Sequence, residues 1–184
     1  MTKAVVHDWP THIGWIVGLL ILIGLVYWLM RQGWNWRRTL QSDLPEPPAV
    51  PQDPGTAILE GSGRYHGTTT AGNWLDRVVA HGLGTRSLAE LTLTGQGLLI
   101  ARPGDADLWI PADRITGART DTGHAGKVVP AGLLVIGWRL QDGEQGFREL
   151  ESGVRLDHPE QHAVWVTTLT DLATRTTKTE GVTR

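Results

Sequence analysis

The chain has 184 residues, no cysteine and a formal net charge of −2 at pH 7. The absence of cysteine excludes disulfides, thiolate metal sites and cysteine nucleophiles. Residues 61–173 carry 10 basic and 13 acidic side chains, a net charge of −3, whereas nucleic acids and anionic lipid headgroups both require surplus positive charge. We therefore predict no nucleic-acid partner, and we expect this segment to ignore anionic vesicles.

Residues 13–30, IGWIVGLLILIGLVYWLM, contain no charged side chain. A helix over this range spans roughly 27 Å, close to the hydrocarbon core of a bilayer. A buried core helix would show a polar stripe, and a cleaved signal peptide would end in small residues, but this range ends in YWLM. The sequence predicts a retained transmembrane helix, and hence an integral, single-span protein of the cell membrane.

The charges beside this helix predict its orientation. Residues 1–12, a short outer tail, hold only Lys3 as a basic side chain, whereas Arg31, Arg37 and Arg38 follow the helix. Excess Lys and Arg marks the cytoplasmic side. We expect the N-terminus to lie outside the cell and the rest of the chain, from residue 31 onward, in the cytoplasm.

Aromatic residues near both ends of the helix are typical of the two membrane interfaces. They are Trp9, Trp15, Tyr27, Trp28, Trp34 and Trp36. Within the helix, Gly14 and Gly18 have the small-xxx-small spacing that permits close helix packing and a homodimer. A single helix is too little for a pore unless it oligomerises, so transport or export is kept as an alternative function.

After the helix, the composition predicts four further segments. Residues 31–42 form a basic interfacial segment, and residues 43–63 form a linker with five prolines, which favour an extended spacer. A ligand for an SH3-like groove is the alternative interpretation of this linker. A domain at residues 64–173 and a disordered polar tail at residues 174–184 complete the chain.

The domain is predicted to be rich in β-strands. Alternating patterns and turn residues indicate strands at residues 64–70, 87–94, 98–102, 106–110, 115–120, 127–130, 133–140 and 145–156. Residues 72–83 are ambiguous, and we interpret them as a helical turn or irregular connection that packs Trp74 inward.

One amphipathic helix is predicted to close the domain. Asp157 is placed as its N-cap, and Pro159 and Glu160 lie in its first turn. Apolar residues and one histidine recur at helical spacing along one face: His162, Trp165, Val166, Leu169, Leu172 and Ala173. Such a helix can plug the open end of a curled antiparallel sheet.

This order of elements resembles the bacterial pleckstrin-homology-like (PH-like) domains, as does the motif LWIPADRI at residues 108–115. The stretches RYHGTTTAGNWLDR at residues 64–77 and HGLGTR at residues 81–86 resemble actinobacterial membrane-anchored proteins of this class. The resemblance implies about seven antiparallel strands in a barrel-like arrangement with a C-terminal capping helix. It also implies a non-enzymatic binding module, often encoded among pyrimidine-biosynthesis genes.

No catalytic, cofactor or metal site is predicted. His158 and His162 are spaced like metal ligands, but Pro159 stands where a metalloprotease helix has Glu. Residues 65–86 are polar and lack a clear structural period, so we predict that they bind a cytoplasmic protein partner. The candidate contacts are Tyr65, His66, Asp76, Arg77, His81 and Arg86.

Three alternatives for the same segment stay open. It can be a surface loop that only packs Trp74. It can hold an enzyme's catalytic groups, which His66→Ala or His81→Ala would then inactivate. It can bind a lipid headgroup through Arg64, Arg77 and Arg86, although Asp76 and Glu90 dilute their charge.

Overall fold

A computed structural model describes residues 9–40, 44–143 and 146–182. The chain divides into two compact units, Met1–Asp43 and Leu44–Arg184. Parts of the predicted outer tail, interfacial segment, linker, last strand and C-terminal tail lie outside the described residues.

The first unit contains helix α1, Trp9–Leu40. Its segment His12–Gln32 is long and apolar enough to cross a membrane. The side chains of residues 12–32 are exposed along the whole segment, which is not the pattern of a core helix in a soluble domain. The predicted N-terminal apolar helix is therefore confirmed.

The second unit is an antiparallel sheet followed by a helix. The strands are β1 Ala57–Thr70, β2 Arg77–Val78, β3 Ser87–Thr94, β4 Gly97–Ala101, β5 Leu108–Pro111, β6 Ile115–His124, β7 Lys127–Asp142 and β8 Gly146–Leu156. Seven of them pair in the order β5-β4-β3-β1-β8-β7-β6, and β2 pairs with β1. Short 3₁₀ turns lie at Ala80–Gly82, Ala112–Arg114 and Pro159–Gln161, and helix α2 is His162–Val182.

The core lies between one face of the sheet and α2. In β3, Ala89, Leu91 and Leu93 are buried, whereas Leu88 and Glu90 are exposed, because successive side chains of a strand point to opposite faces. The predicted helix stripe is buried at Trp165 and Leu169, which join the same core cluster. The predicted strand-rich fold with a C-terminal helix is confirmed.

The predicted linker is wrong at its C-terminal end and at Leu44. Strand β1 begins at Ala57 and so includes the last residues assigned to the linker. Leu44 is buried in the core cluster, and its carbonyl accepts a hydrogen bond of 2.7 Å from His81 Nε2. The chain from residue 44 onward is therefore part of the domain and not a free spacer.

Further differences concern β7 and α2. The two strands predicted at residues 127–130 and 133–140 are one strand, β7. Asp157 does not cap the helix, because its carboxylate accepts a hydrogen bond of 2.9 Å from Ser62 Oγ and a 3₁₀ turn precedes α2. Helix α2 continues to Val182, so most of the predicted disordered tail is helical.

Candidate functional site

Tyr65 lies inside the core and cannot contact a partner at the surface. Its side chain is fully buried, its hydroxyl donates to the carbonyl of Leu83 at 3.0 Å and hydrogen-bonds with Thr68 Oγ1 at 2.5 Å. Burial raises the pKa of Tyr65 above its ordinary value of 10.0. Its role is to tie the loop before β3 to strand β1.

The other candidate residues differ in exposure. His66 is buried, and its Nε2 accepts a hydrogen bond of 3.3 Å from Arg86 Nη2. Asp76, His81 and Arg86 are exposed. Asp76 accepts a hydrogen bond of 2.8 Å from Thr70 Oγ1. The structure therefore leaves Asp76, His81 and Arg86 at the surface, and their contact with a partner stays a prediction.

Arg77 connects the candidate segment to the β6–β7 hairpin. Its guanidinium donates to the carbonyl of Gly84 at 2.8 Å and to the carbonyl of Ala125 at 3.1 Å. The backbone of the β1–β2 loop makes a second connection, because Gly126 N–H donates to the carbonyl of Trp74 at 3.0 Å. Arg77 thus connects the loop before β3, at Gly84, with the end of the β6–β7 hairpin, at Ala125.

The end of the β6–β7 hairpin bends away from its own strands. Asp121 pairs with Leu133 and Gly123 pairs with Val128, so one residue of β6 lies opposite four residues of β7. The extra residues interrupt the ladder and bend the hairpin, as a β-bulge does. The bend brings His124 to strands β1 and β8.

His124 lies on a glycine pair. Gly67 of β1 and Gly153 of β8 are directly opposite each other, and His124 Nε2 donates to the Gly67 carbonyl at 3.0 Å. A Cβ placed on Gly153 would be 2.4 Å from the Cδ2 atom of His124, so only glycine allows the ring this close. Gly67 has φ +124°, a conformation that glycine adopts without strain.

An exposed apolar surface forms where the β1–β2 hairpin meets the end of the β6–β7 hairpin. Trp74 is 42% exposed, Leu75 65% and Val128 71%. A Cβ on Gly123 would lie 3.9 Å from the Trp74 ring, and Val128 is the cross-strand partner of Gly123, so its side chain points to the same side. We call Trp74, Leu75 and Val128 the tip cluster.

The tip cluster corrects the expectation that Trp74 packs inward. The helical spacing of Trp74, Leu75, Val78 and Val79 suggested one buried face, but the segment is a hairpin that turns back along β1, with β2 at Arg77–Val78. Only Val78 of these four is buried. The turn residues Gly72 and Asn73 were the available sign of a hairpin.

Two acidic side chains stand close to the tip cluster in the chain. Asp76 follows Leu75, and Asp121 precedes Gly123 by two residues. The hydrogen bond from the backbone N–H of Gly123 contributes most to lowering the pKa of the Asp121 carboxyl, so this group is anionic at neutral pH.

The two histidines with metal-ligand spacing do not form a site. His158 precedes the 3₁₀ turn and contacts Glu160 at 3.1 Å, while His162 is buried. No group of three His, Asp or Glu within the described part of the chain is placed to hold a metal ion.

Comparison with known proteins agrees with this architecture. The family model described as Bacterial PH domain-like matches residues 44–170, a range that begins at the buried Leu44 and ends within α2. A comparison with curated proteins found no match. Since the family model covers most of the chain, this protein belongs to the Bacterial PH domain-like family.

Proposed function

We propose that this chain is a single-pass membrane protein that presents its PH-like domain to a protein partner in the cytoplasm, without catalysing a reaction. Helix α1 supplies the span, and the arginines after it favour a cytoplasmic domain. PH-like domains serve mainly as binding modules. The resemblance to proteins often encoded among pyrimidine-biosynthesis genes supports a role of this module in pyrimidine metabolism.

The tip cluster is the observation that carries this proposal. Adjacent exposed apolar side chains mark interaction surfaces, and tryptophan is enriched among the residues that dominate binding energy in protein interfaces. Hydrogen bonds from Gly126 and Arg77 join the two hairpins below the cluster, so binding orders few additional groups. The neighbouring Asp76 and Asp121 disfavour an anionic membrane and suit a partner whose apolar contact is bordered by basic side chains.

Replacing Trp74 by serine is expected to weaken capture of the partner by roughly 30-fold, since a tryptophan at the centre of an interface contributes about 2 kcal/mol or more. The measurement is capture of partner proteins by the full chain solubilised from its own membranes. Ile58→Ser is the matched control, because Ile58 is 59% exposed and lies outside the tip cluster. The control should retain capture, and both variants should melt near the wild type.

Association with a lipid surface is the second candidate, because bilayer interfaces also accept exposed Trp and Leu. Flotation of the full chain cannot separate the two, since α1 inserts by itself. The second candidate instead predicts that the Trp74→Ser variant captures the same proteins as the wild type. Equal capture by Trp74→Ser and Ile58→Ser would therefore reject the protein interface and favour the lipid surface.

A further inference from the structure

His124 connects the bent end of the β6–β7 hairpin to strand β1 at Gly67 and to strand β8 at Gly153. Its side chain is completely buried. Nε2 donates to the Gly67 carbonyl, and Nδ1 is buried with no hydrogen-bond partner among the described atoms. In the neutral ring Nδ1 carries no hydrogen. Protonation would place a charged N–H there, buried and without an acceptor, which costs more than the neutral state.

The charged groups around His124 belong to three strands. Glu151 of β8, Arg119 of β6 itself and Arg77 of β2 all act on the ring. The Glu151 carboxylate would favour a protonated ring, but Arg119 holds it with two hydrogen bonds of 2.7 and 3.0 Å. Burial has the largest effect and lowers the pKa of His124 from its ordinary value of 6.5.

The position of residues 123–128, the end of the β6–β7 hairpin, also determines where the side chains of the tip cluster lie. Gly126 N–H bonds the Trp74 carbonyl, Ala125 accepts from Arg77, and Val128 is itself part of the cluster. If residues 123–128 leave the sheet, Trp74 loses its support and Val128 separates from it.

We propose that His124 is a proton-operated latch, in which the neutral ring holds the hairpin end on Gly67 and Gly153, and protonation releases the hairpin and disassembles the tip cluster. The consequence for binding rests on the proposed function, whereas the latch itself does not. The proton comes from solvent and the released ring returns it when the hairpin closes.

The direction of the pH effect follows from the two states. The folded-state pKa of His124 lies below its ordinary value of 6.5, so the closed hairpin has its full stability above that value. As the pH falls below it, the open state binds a proton that the closed state does not. Opening should therefore increase on acidification, by at most about tenfold for each pH unit below the ordinary value.

Thiol labelling of the full chain in detergent tests the latch, since the chain has no natural cysteine. Ala125→Cys places a thiol at a buried position of the hairpin end, and Ala163→Cys places one at an exposed position of α2. The ratio of their labelling rates cancels the pH dependence of thiol reactivity and reports opening. We expect this ratio to rise between about pH 7.5 and about pH 5.5, by at most about tenfold.

Three substitutions in the Ala125→Cys background make the test specific. His124→Gln cannot be protonated and should remove the pH response, while His162→Gln, which changes another buried histidine, should retain it. Gly153→Ala should raise labelling at neutral pH, because its methyl group displaces the ring without changing any charge.

A labelling ratio that is independent of pH, or an equal response in His124→Gln, would overturn the latch. If His124→Gln does not fold, Gly153→Ala decides, and unchanged labelling at neutral pH in that variant rejects the proposal. Labelling involves no partner, so a normal pH response combined with equal capture by Trp74→Ser and Ile58→Ser would reject the proposed function alone.

Discussion

Replacing Arg102 by alanine is expected to lower the free energy of unfolding by about 3–5 kcal/mol, because two hydrogen bonds from a buried charged side chain are lost at about 1.5–3 kcal/mol each. Arg102 is 1% exposed. Its Nε donates to the Ala106 carbonyl at 2.7 Å, and Nη1 donates to the Gly82 carbonyl at 2.9 Å. Its guanidinium also lies 4.8 Å from the centre of the Tyr65 ring.

The loss would leave three acceptors without their arginine. The carbonyls of Gly82 and Ala106 lose their arginine, and so does the Asp105 carboxylate, whose Oδ2 lies 3.9 Å from Nη1. Denaturant unfolding of the full chain measures the effect. Arg139→Ala is the control, since Arg139 forms a half-exposed ion pair with Glu149 and its loss should cost less than about 1 kcal/mol. Equal losses of unfolding free energy in the two variants would show that Arg102 stabilises the domain no more than a surface ion pair does.

Replacing Trp165 by alanine is expected to cost a similar amount, about 3–5 kcal/mol, because it empties the largest buried position of α2. Trp165 is fully buried, and its ring lies so close to β1 that a Cβ on Gly61 would be 3.1 Å from it. Together with Leu169 and Ala173, Trp165 places α2 in the core cluster.

Val164 provides the matched control for Trp165. It is the preceding residue of α2 and is 53% exposed, so Val164→Ala should change the stability by only about 0.5 kcal/mol. Thermal unfolding followed by circular dichroism compares both variants. A stable Trp165→Ala variant with an unchanged melting temperature would mean that α2 is not needed to close the core.

Local patterns in the sequence were sufficient for most of the fold. The turn Gly95-Gln96-Gly97 separates two strands that pair as expected, Leu93 with Leu98. The apolar stripe of α2 is the buried face. Period and turn chemistry act over a few residues, so a single sequence contains them.

The candidate site was harder to predict from the sequence, because it depends on contacts between residues that are distant in the chain. His124 is recognisable as a latch only once Gly67 and Gly153 are known to lie opposite each other. Leu44 is one apolar residue before a proline-rich stretch, and nothing local indicates that it joins the core. The helical spacing of Trp74 with Val78 predicts an inward-facing ring, whereas the backbone of its loop holds Trp74 at the surface.

Photo-crosslinking in living cells tests most directly the proposal that the tip cluster faces a cytoplasmic protein. A photoreactive phenylalanine derivative replaces Leu75 in one strain and Leu88 in another, since Leu88 is 56% exposed and lies on β3, outside the tip cluster. We expect a covalent adduct with a cytoplasmic protein from position 75, reduced by the additional Trp74→Ser substitution, and none from position 88. An adduct with a protein from outside the cell, or the same products from both positions, would contradict the proposal.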